Sequence, residues 1–199
     1  MELMQQTPEL SAYLAVDDAI DHEHARVRGI AARLTVEHAD AYSYAKAAFE
    51  FVRDAVAHSA DADDPRVPWR ASDVLELRVG TCYAKSHALA ALLRARSIPT
   101  ALCYQRLTDE DGTNPALHGL IAVRLPGRGA WARQDPRGNT RGLDAQFVLD
   151  HEQLAYPVRP EFDEVDYPVL YAAPHPVVLN ALRVARDREY LWKTLPTEL

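Results

Sequence analysis

Apolar positions follow helical spacing in the first half of the chain and strand-like runs in the second. Two apolar stripes predict amphipathic helices near residues 27–34 and 44–55. Asp40 stands just before the second stripe and is a residue type that caps helix N-termini. The apolar positions of the two stripes are Val27, Ile30, Ala31, Leu34, Tyr44, Ala48, Phe51, Val52 and Ala55.

The next region holds the most apolar helix of the chain. Residues 58–70 are rich in Asp and Pro and predict a surface loop. A short helix over residues 74–77 should follow and end at Gly80 in the left-handed conformation. Thr81 can cap the next helix, which runs from residue 82 to about residue 96. Because that helix is apolar almost all round, we expect it to lie buried in the centre of the protein.

Strand-like runs come after the buried helix. Residues 100–107, 117–125 and 130–135 predict three strands, and Pro126-Gly127-Arg128-Gly129 between the last two is typical of a hairpin. Residues 146–149 are a candidate for a fourth strand. Helices that precede an antiparallel sheet in this way predict an α+β fold.

The C-terminal segment is rich in proline but too apolar to be a free tail. Residues 156–176 should cross the surface without regular structure, and residues from 177 to about 193 predict one amphipathic helix. We expect residues 141–199 to pack on a core of about residues 25–140, so that residues 1–199 form one domain. The alternative is that this segment is a dimerisation arm.

Composition narrows the class of protein. The chain has 199 residues, of which 48% are hydrophobic and 26% charged, close to the average for globular proteins. Its net charge of −7 argues against non-specific binding to nucleic acid or to an anionic membrane. The first residues lack the pattern of a secretory signal, and no apolar run reaches the ~20 residues that span a bilayer. We therefore expect a cytoplasmic protein without a nucleic-acid or membrane partner; the composition makes no prediction about its oligomeric state.

Cys82 stands in the first turn of the predicted buried helix, after Gly80-Thr81. The helix dipole and the free backbone N–H groups at such a position favour a thiolate and can bind an oxyanion that forms on a substrate carbonyl. A lone cysteine is nevertheless a weak signal, and a buried structural thiol is the alternative. Cys103, in the middle of a predicted strand, is expected to be such a structural thiol.

His118 and Asp135 lie on the two strands of the predicted hairpin. They are equidistant from the centre of Pro126-Gly127, so an antiparallel hairpin that turns there places them opposite each other. A shift of two residues keeps both side chains on one face, whereas a shift of one separates them. A carboxylate beside a histidine fixes its tautomer and stabilises the imidazolium that a thiolate needs. Each residue alone has a structural alternative, but the combination with Cys82 is uncommon by chance.

Several motifs resemble one enzyme family. The run around Cys82, residues 71–86, resembles the nucleophile motif of the transglutaminase-like superfamily of papain-like Cys-His-Asp enzymes, and is most similar to that of small bacterial transglutaminase-like proteins. Leu117-His118-Gly119 resembles the family's histidine strand, and residues 131–136 resemble its aspartate strand. The exit of the Cys82 helix also fits, although Ser97 stands where the family more often has glycine.

The resemblance implies a papain-like fold in which N-terminal helices pack on an antiparallel sheet. It implies Cys82 as nucleophile, His118 as base and acid, and Asp135 as the residue that orients His118. Such an enzyme transfers an acyl group through a cysteine thioester, acts on a peptide, protein or small amide, and needs no metal or organic cofactor. Two alternatives stay open: an amide-forming acyltransferase of a biosynthetic pathway, and a non-catalytic binding module on the same fold.

Two aromatic residues are weaker candidates for substrate binding. Trp69 lies upstream of Cys82 and is a candidate for shaping the cleft or the oxyanion hole, with a hydrophobic anchor for the Asp-rich loop as the alternative. Tyr83 follows the candidate nucleophile and is a candidate for the mouth of the cleft.

Overall fold

The computed structural model describes residues 1–140 and 142–199 and combines helices with a curved antiparallel sheet. The helices are α1 Ala25–Glu37, α2 Ala41–Ala55, α3 Ala71–Leu77, α4 Cys82–Arg94, α5 Pro176–Val184 and α6 Arg188–Lys193. The strands are β1 Met4–Gln5, β2 Ala57–His58, β3 Val79–Gly80, β4 Thr100–Leu107, β5 Ala116–Val123, β6 Ala132–Gln134, β7 Val165–Asp166 and β8 Val169–Leu170. Within the described residues, every helix is too short or too polar to span a lipid bilayer.

The main sheet has the strand order β6-β5-β4-β7, with all neighbours antiparallel. Two short parallel pairs, β1 with β8 and β2 with β3, tie distant parts of the chain together. Helix α4 contacts β4 and β5 on one side and α1, α2 and α3 on the other. The predicted α+β class is therefore confirmed.

Helix α4 is enclosed along its length, as its all-round apolar pattern predicts. Every residue from 83 to 94 is buried. Arg94 closes the buried end, because its guanidinium donates to the backbone carbonyls of Ala15, Thr100 and Ala172 at 2.6–2.8 Å. A charged side chain is tolerated in such a place only when its donors find acceptors. The helix is therefore held by polar contacts as well as by packing.

The C-terminal segment shares this core. Position 141, at the boundary of the predicted extension, lies outside the described residues. From residue 142 onwards, buried side chains join the same apolar cluster as the helices; they are Ala145, Phe147, Ala155, Val178, Ala181, Leu182 and Leu191. The carbonyl of Pro196 also accepts from the amide of Leu117, at 2.8 Å. The segment therefore packs on the body of the protein in this structure.

Two predictions around α3 are wrong. The left-handed residue after α3 is Arg78, with φ 55° and ψ 33°, and Gly80 lies in strand β3 instead. The predicted surface loop 58–70 begins inside the fold, because His58 pairs with Gly80 and is buried. Backbone pairing with a strand distant in sequence decides both positions, and local turn propensity does not report such pairing.

Three predictions near the C-terminus also need correction. Residues 146–149 form no strand, and β7 occupies the sheet edge beside β4. The segment 156–176, predicted to be irregular, contains β7 and β8. The predicted final helix is two helices, because α5 ends at Val184 and Asp187 caps α6 by accepting from the amide of Tyr190 at 2.7 Å. A local cap overrides the continuous apolar stripe at that point.

Truncation after Asn139 should abolish cooperative folding. Loss of Phe147, Leu182 and Leu191 alone removes burial worth roughly 1.5–3 kcal/mol for each side chain. That total is comparable with the ~5–15 kcal/mol by which whole domains are stable. Urea unfolding followed by circular dichroism measures the outcome. A soluble, monomeric fragment with a sharp transition and full activity would show that residues 140–199 belong to neither the core nor the site.

Candidate active site

Cys82 is the first residue of α4, and this end of the helix borders a cavity. Thr81 caps the helix, and its hydroxyl oxygen accepts from the amide of Ala84 at 3.4 Å. Among the described residues, no group accepts from the amide of Cys82, as expected for the first turn of a helix. The half-buried thiol of Cys82 and its free backbone N–H therefore lie together at the start of the helix.

Gly119 brings His118 close to this helix start. A Cβ atom on Gly119 would lie 2.7 Å from the ring of Tyr83 and 3.1 Å from its Cα, so only glycine permits β5 to approach so closely. Ser86 strengthens the contact, because its hydroxyl lies 3.1 Å from the carbonyl oxygen of Gly119 and 2.9 Å from that of Cys82. The imidazole of His118 consequently lies beside the thiol.

His118 donates from Nε2 to Asp135 Oδ2 at 2.8 Å, so the two side chains lie on one face of the sheet. The register differs from the prediction by two residues. Ile121 pairs with Gln134, which places Asp135 one step beyond β6 and diagonal to His118 instead of directly opposite. The predicted direct opposition is wrong, and the shift of two keeps the pair on one face.

Asp135 is fully buried and is satisfied by its surroundings. Besides His118, it accepts from the amides of Arg137 at 3.0 Å and Ala155 at 3.1 Å. Burial by itself would raise the pKa of Asp135, but the charge of His118 and these hydrogen bonds outweigh burial and lower it. The carboxylate therefore stays ionised and fixes the ring of His118.

His118 is buried between two groups that favour its protonated form. Burial alone would lower the pKa of His118, but the negative charges of the Asp135 carboxylate and the Cys82 thiolate, with their hydrogen bonds, raise it well above its ordinary value. Since Nε2 is bound to Asp135, Nδ1 is the ring nitrogen left for the thiol. These surroundings favour the protonated form of the His118 ring.

Two recesses border His118. A cavity of about 260 Å³ contains Cys82 and reaches His58, Arg137 and Trp192. A larger groove of about 590 Å³ lies on the other side of His118 and Tyr156, which border both spaces. Across the described residues, no three His, Cys, Asp or Glu side chains are grouped so as to hold a metal ion. The thiol therefore faces the smaller cavity, and His118 borders both spaces.

Tyr156 and Arg137 are site residues that sequence reasoning missed. The ring of Tyr156 meets His118 edge-on with centroids 5.2 Å apart. Arg137 is paired with Asp61 and its guanidinium interacts with the hydroxyl of Tyr156. No local sequence pattern points to Tyr156. Arg137 could have been suspected, because it stands only two residues after Asp135.

The C-terminal segment also borders the cavity, through Trp192 of α6 and Leu195. Both residues lie far along the sequence from the recognised motifs, so the motifs could not predict their position at the cavity. The backbone of α6 is attached to the loop after β2, because the amide of Arg188 donates to the carbonyl of Pro65 at 2.8 Å. One wall of the cavity is therefore made by residues far from residues 25–140.

The two aromatic candidates have different outcomes. Trp69 is not among the described residues that line the cavity; its ring stacks under the guanidiniums of Arg70 and Arg183, so the structure does not bring it to Cys82. Tyr83 borders the cavity, but its side chain is buried and its hydroxyl donates to the carbonyl of Leu117. Tyr83 therefore serves the packing of α4 against β5.

Comparison with known families identifies the fold's relatives. A model of the transglutaminase-like superfamily matches residues 28–136, which is more than half of the chain and contains Cys82, His118 and Asp135. The chain belongs to this superfamily. The resemblance inferred from the motifs is therefore confirmed, and members of the superfamily are typically cysteine-dependent enzymes.

Solved structures resemble this one at low sequence identity. A candidate cysteine protease from Cytophaga hutchinsonii has a TM-score of 0.54 and 18% identity, with 66% of this chain and 43% of that chain covered. The periplasmic domain of TgpA from Pseudomonas aeruginosa has a TM-score of 0.43 and 21% identity, with 62% and 45% covered. The chain thus spans less than half the length of these two chains. Comparison with curated protein sequences gives no match. The first likeness supports the predicted papain-like fold.

The two cysteines should differ strongly in reactivity. Cys103 is buried in the middle of β4, and burial raises the pKa of its thiol to about 12. Since the thiolate is the reacting form, iodoacetamide near neutral pH should alkylate Cys82 at least ~100-fold faster than Cys103. Peptide mapping by mass spectrometry after limited alkylation measures this ratio, with Cys103→Ala as the matched variant that keeps the fast reaction. Equal labelling, or Cys103 first, would contradict the expectation.

Proposed function

We propose that this protein is a cysteine-dependent acyl-transfer enzyme that acts on a carboxamide or peptide carbonyl through a thioester on Cys82. The observation that carries the proposal is that a helix-start thiol and His118 line the same cavity, with His118 bound to buried Asp135. A nucleophile, a base and a group that orients the base are the components that this chemistry requires. The substrate class covers peptides, proteins and small amides.

In the first step, the Cys82 thiolate attacks the substrate carbonyl carbon and forms a C–S bond. The carbonyl electron pair moves to oxygen, and the free amide of Cys82 stabilises the resulting oxyanion. The His118 imidazolium then gives its proton to the departing nitrogen as the C–N bond breaks. The products are a thioester on Cys82, ammonia or an amine, and neutral His118.

In the second step, water or an amine attacks the thioester carbon. Neutral His118 accepts the proton of the attacking group, and the C–S bond breaks to return the Cys82 thiolate. With water the product is a carboxylic acid, and with an amine it is a new amide. The thiolate–imidazolium pair is restored in both cases, so the cycle balances.

Asp135 is proposed to hold His118 in the orientation that both steps need. Its bond to Nε2 leaves Nδ1 directed to the thiol, and its charge stabilises the imidazolium. The amides of Arg137 and Ala155 hold the carboxylate in turn, so the orientation does not depend on one contact. This support keeps the site ordered before substrate binds.

The two recesses beside His118 are proposed to hold the two sides of the substrate. The cavity of about 260 Å³ suits a short side chain, and the groove of about 590 Å³ has room for several residues of a peptide. Asp109 and Glu110 line the groove, and Arg159, which also lines it, is neutralised by Glu164. The groove therefore favours a neutral or basic segment over an acidic one.

A profile over glutamine-containing peptides and simple amides tests this function. We expect ammonia or amine release together with a covalent adduct on Cys82 that hydroxylamine removes, as it removes thioesters. Cys82→Ala should lose both signals, whereas Cys103→Ala should keep them. Adding a primary amine separates transfer from hydrolysis, because transfer produces a new amide. Turnover that survives in Cys82→Ala would overturn the proposal.

Replacing Asp135 by Asn should slow turnover while the fold is kept. The amide is nearly isosteric and can still accept from the backbone, but it lacks the charge that stabilises the imidazolium. The equivalent change in serine enzymes costs up to ~10⁴ in rate, and a preformed ion pair should depend on it less, so we expect a loss of roughly 10²–10⁴-fold in kcat. Steady-state kinetics with thermal unfolding as the control measure this. Near-normal turnover in a folded variant would remove Asp135 from the site.

A further inference from the structure

A second histidine, His58, is brought to the nucleophile by backbone pairing. Strand β2 runs parallel to β3, and His58 is the register partner of Gly80, two residues before Cys82. The amide of Ser59 donates to the carbonyl of Gly80 at 3.0 Å and fixes this register. Paired strands lie about 4.8 Å apart, so the backbone of His58 is adjacent to the start of α4. His58 also lines the cavity that contains Cys82.

The hydrogen bonding of His58 selects one tautomer. The amide of Ala60 donates to Nδ1 at 3.3 Å, so Nδ1 is the acceptor nitrogen of a neutral ring. The proton of that ring must then be on Nε2. Among the described residues, none hydrogen-bonds to Nε2. The ring therefore has an unused N–H donor beside the cavity.

The surroundings keep this ring neutral. His58 is only 9% exposed, and the ring of Trp192 meets it edge-on with centroids 6.4 Å apart. Burial, followed by the nearby positive charge of Arg137, lowers the pKa of His58 to about 3, although Asp61 opposes the change. A histidine whose pKa is lowered in this way is poorly suited to act as a base near neutral pH. A neutral imidazole can instead act as a fixed hydrogen-bond donor to a developing negative charge.

We infer that His58 is the second oxyanion donor of the site, acting through Nε2–H together with the backbone amide of Cys82. The inference rests on the proposed acyl transfer at Cys82. When the thiolate attacks, the carbonyl oxygen gains negative charge, and each of the two N–H groups donates one hydrogen bond to it. No proton leaves His58, and His118 remains the group that moves protons. His58 is thus a catalytic residue with a role separate from that of the Cys82–His118–Asp135 set.

Two small reagents separate this role from a structural one. Iodoacetamide alkylates Cys82 by displacement of iodide and forms no oxyanion. 4-Nitrophenyl acetate acylates the same thiol through a tetrahedral oxyanion and releases coloured 4-nitrophenolate. The second-order rate constants of the two reactions are measured for each variant, with Cys82→Ala as the blank. The ratio of acylation to alkylation then reports oxyanion stabilisation independently of the amount of thiolate.

His58→Phe keeps a ring against Trp192 but removes the donor, and His58→Gln offers a side-chain N–H again. We expect His58→Phe to lower acylation roughly 10²-fold while alkylation changes less than about threefold. The acylation rate constant of His58→Gln should be at least about tenfold higher than that of His58→Phe. His175→Phe, a half-buried histidine whose ring packs on Tyr104 and Tyr171, is the matched control and should change neither rate.

The outcomes distinguish the two proposals. Equal falls in acylation and alkylation for His58→Phe, or no change in either, would overturn the oxyanion role and leave the function of Cys82 standing. Absence of rescue by His58→Gln together with a disturbed alkylation rate would likewise indicate a purely structural residue. A wild-type protein whose Cys82 is not acylated at all would overturn the proposed function, and the role of His58 with it.

Discussion

The complete burial of α4 is the constraint on which the rest of the structure depends. A helix that is apolar almost all round must be covered on every side, and α1, α2, α3, β4 and β5 provide that cover. Polar side chains within it then need internal partners. Lys85 donates to the carbonyls of Arg53 and Val56 at the end of α2, and the hydroxyl of Ser86 contacts the carbonyl of Gly119. Each of these contacts attaches a surrounding element to the helix, so burial of one helix positions its neighbours.

The site is a direct consequence of that burial. The N-terminal end of α4 opens into a cavity, and the free amide of a helix start is found there. Two strands bring histidines to this end of the helix: β5 carries His118, and β2, which pairs with β3, carries His58. The low-dielectric surroundings strengthen every charge interaction at this point. The packing that buries α4 therefore also places the candidate catalytic groups around Cys82.

Charges in the site are arranged in linked pairs. Asp135 is bound to His118, and Arg137, whose amide supports Asp135, has its own side chain paired with Asp61. A buried charge without a partner would be costly, so the two pairs stabilise a site that would otherwise favour neutral groups. His58 differs from His118 because, in the part of the chain that the structure describes, no carboxylate bonds its ring. The pKa of His118 is consequently raised and that of His58 lowered, which supports the proposed proton transfer by the first and hydrogen-bond donation by the second.

The sequence by itself determined the features that local pattern and chemistry control. The apolar patterns placed α1, α2 and α4, and Asp40 and Thr81 marked the N-caps of α2 and α4. The motif residues Cys82, His118 and Asp135 were recognisable because their types and order are specific in combination. The tertiary structure alone decided the two-residue shift of β6, the pairing of His58 with Gly80, and the use of Tyr156 and Trp192 as cavity walls. These contacts join residues that are distant along the chain, so they depend on how the whole chain packs around α4. Local sequence patterns do not report such long-range packing. For this reason the sequence suggested Trp69 as a cleft residue and placed His58 in a loop.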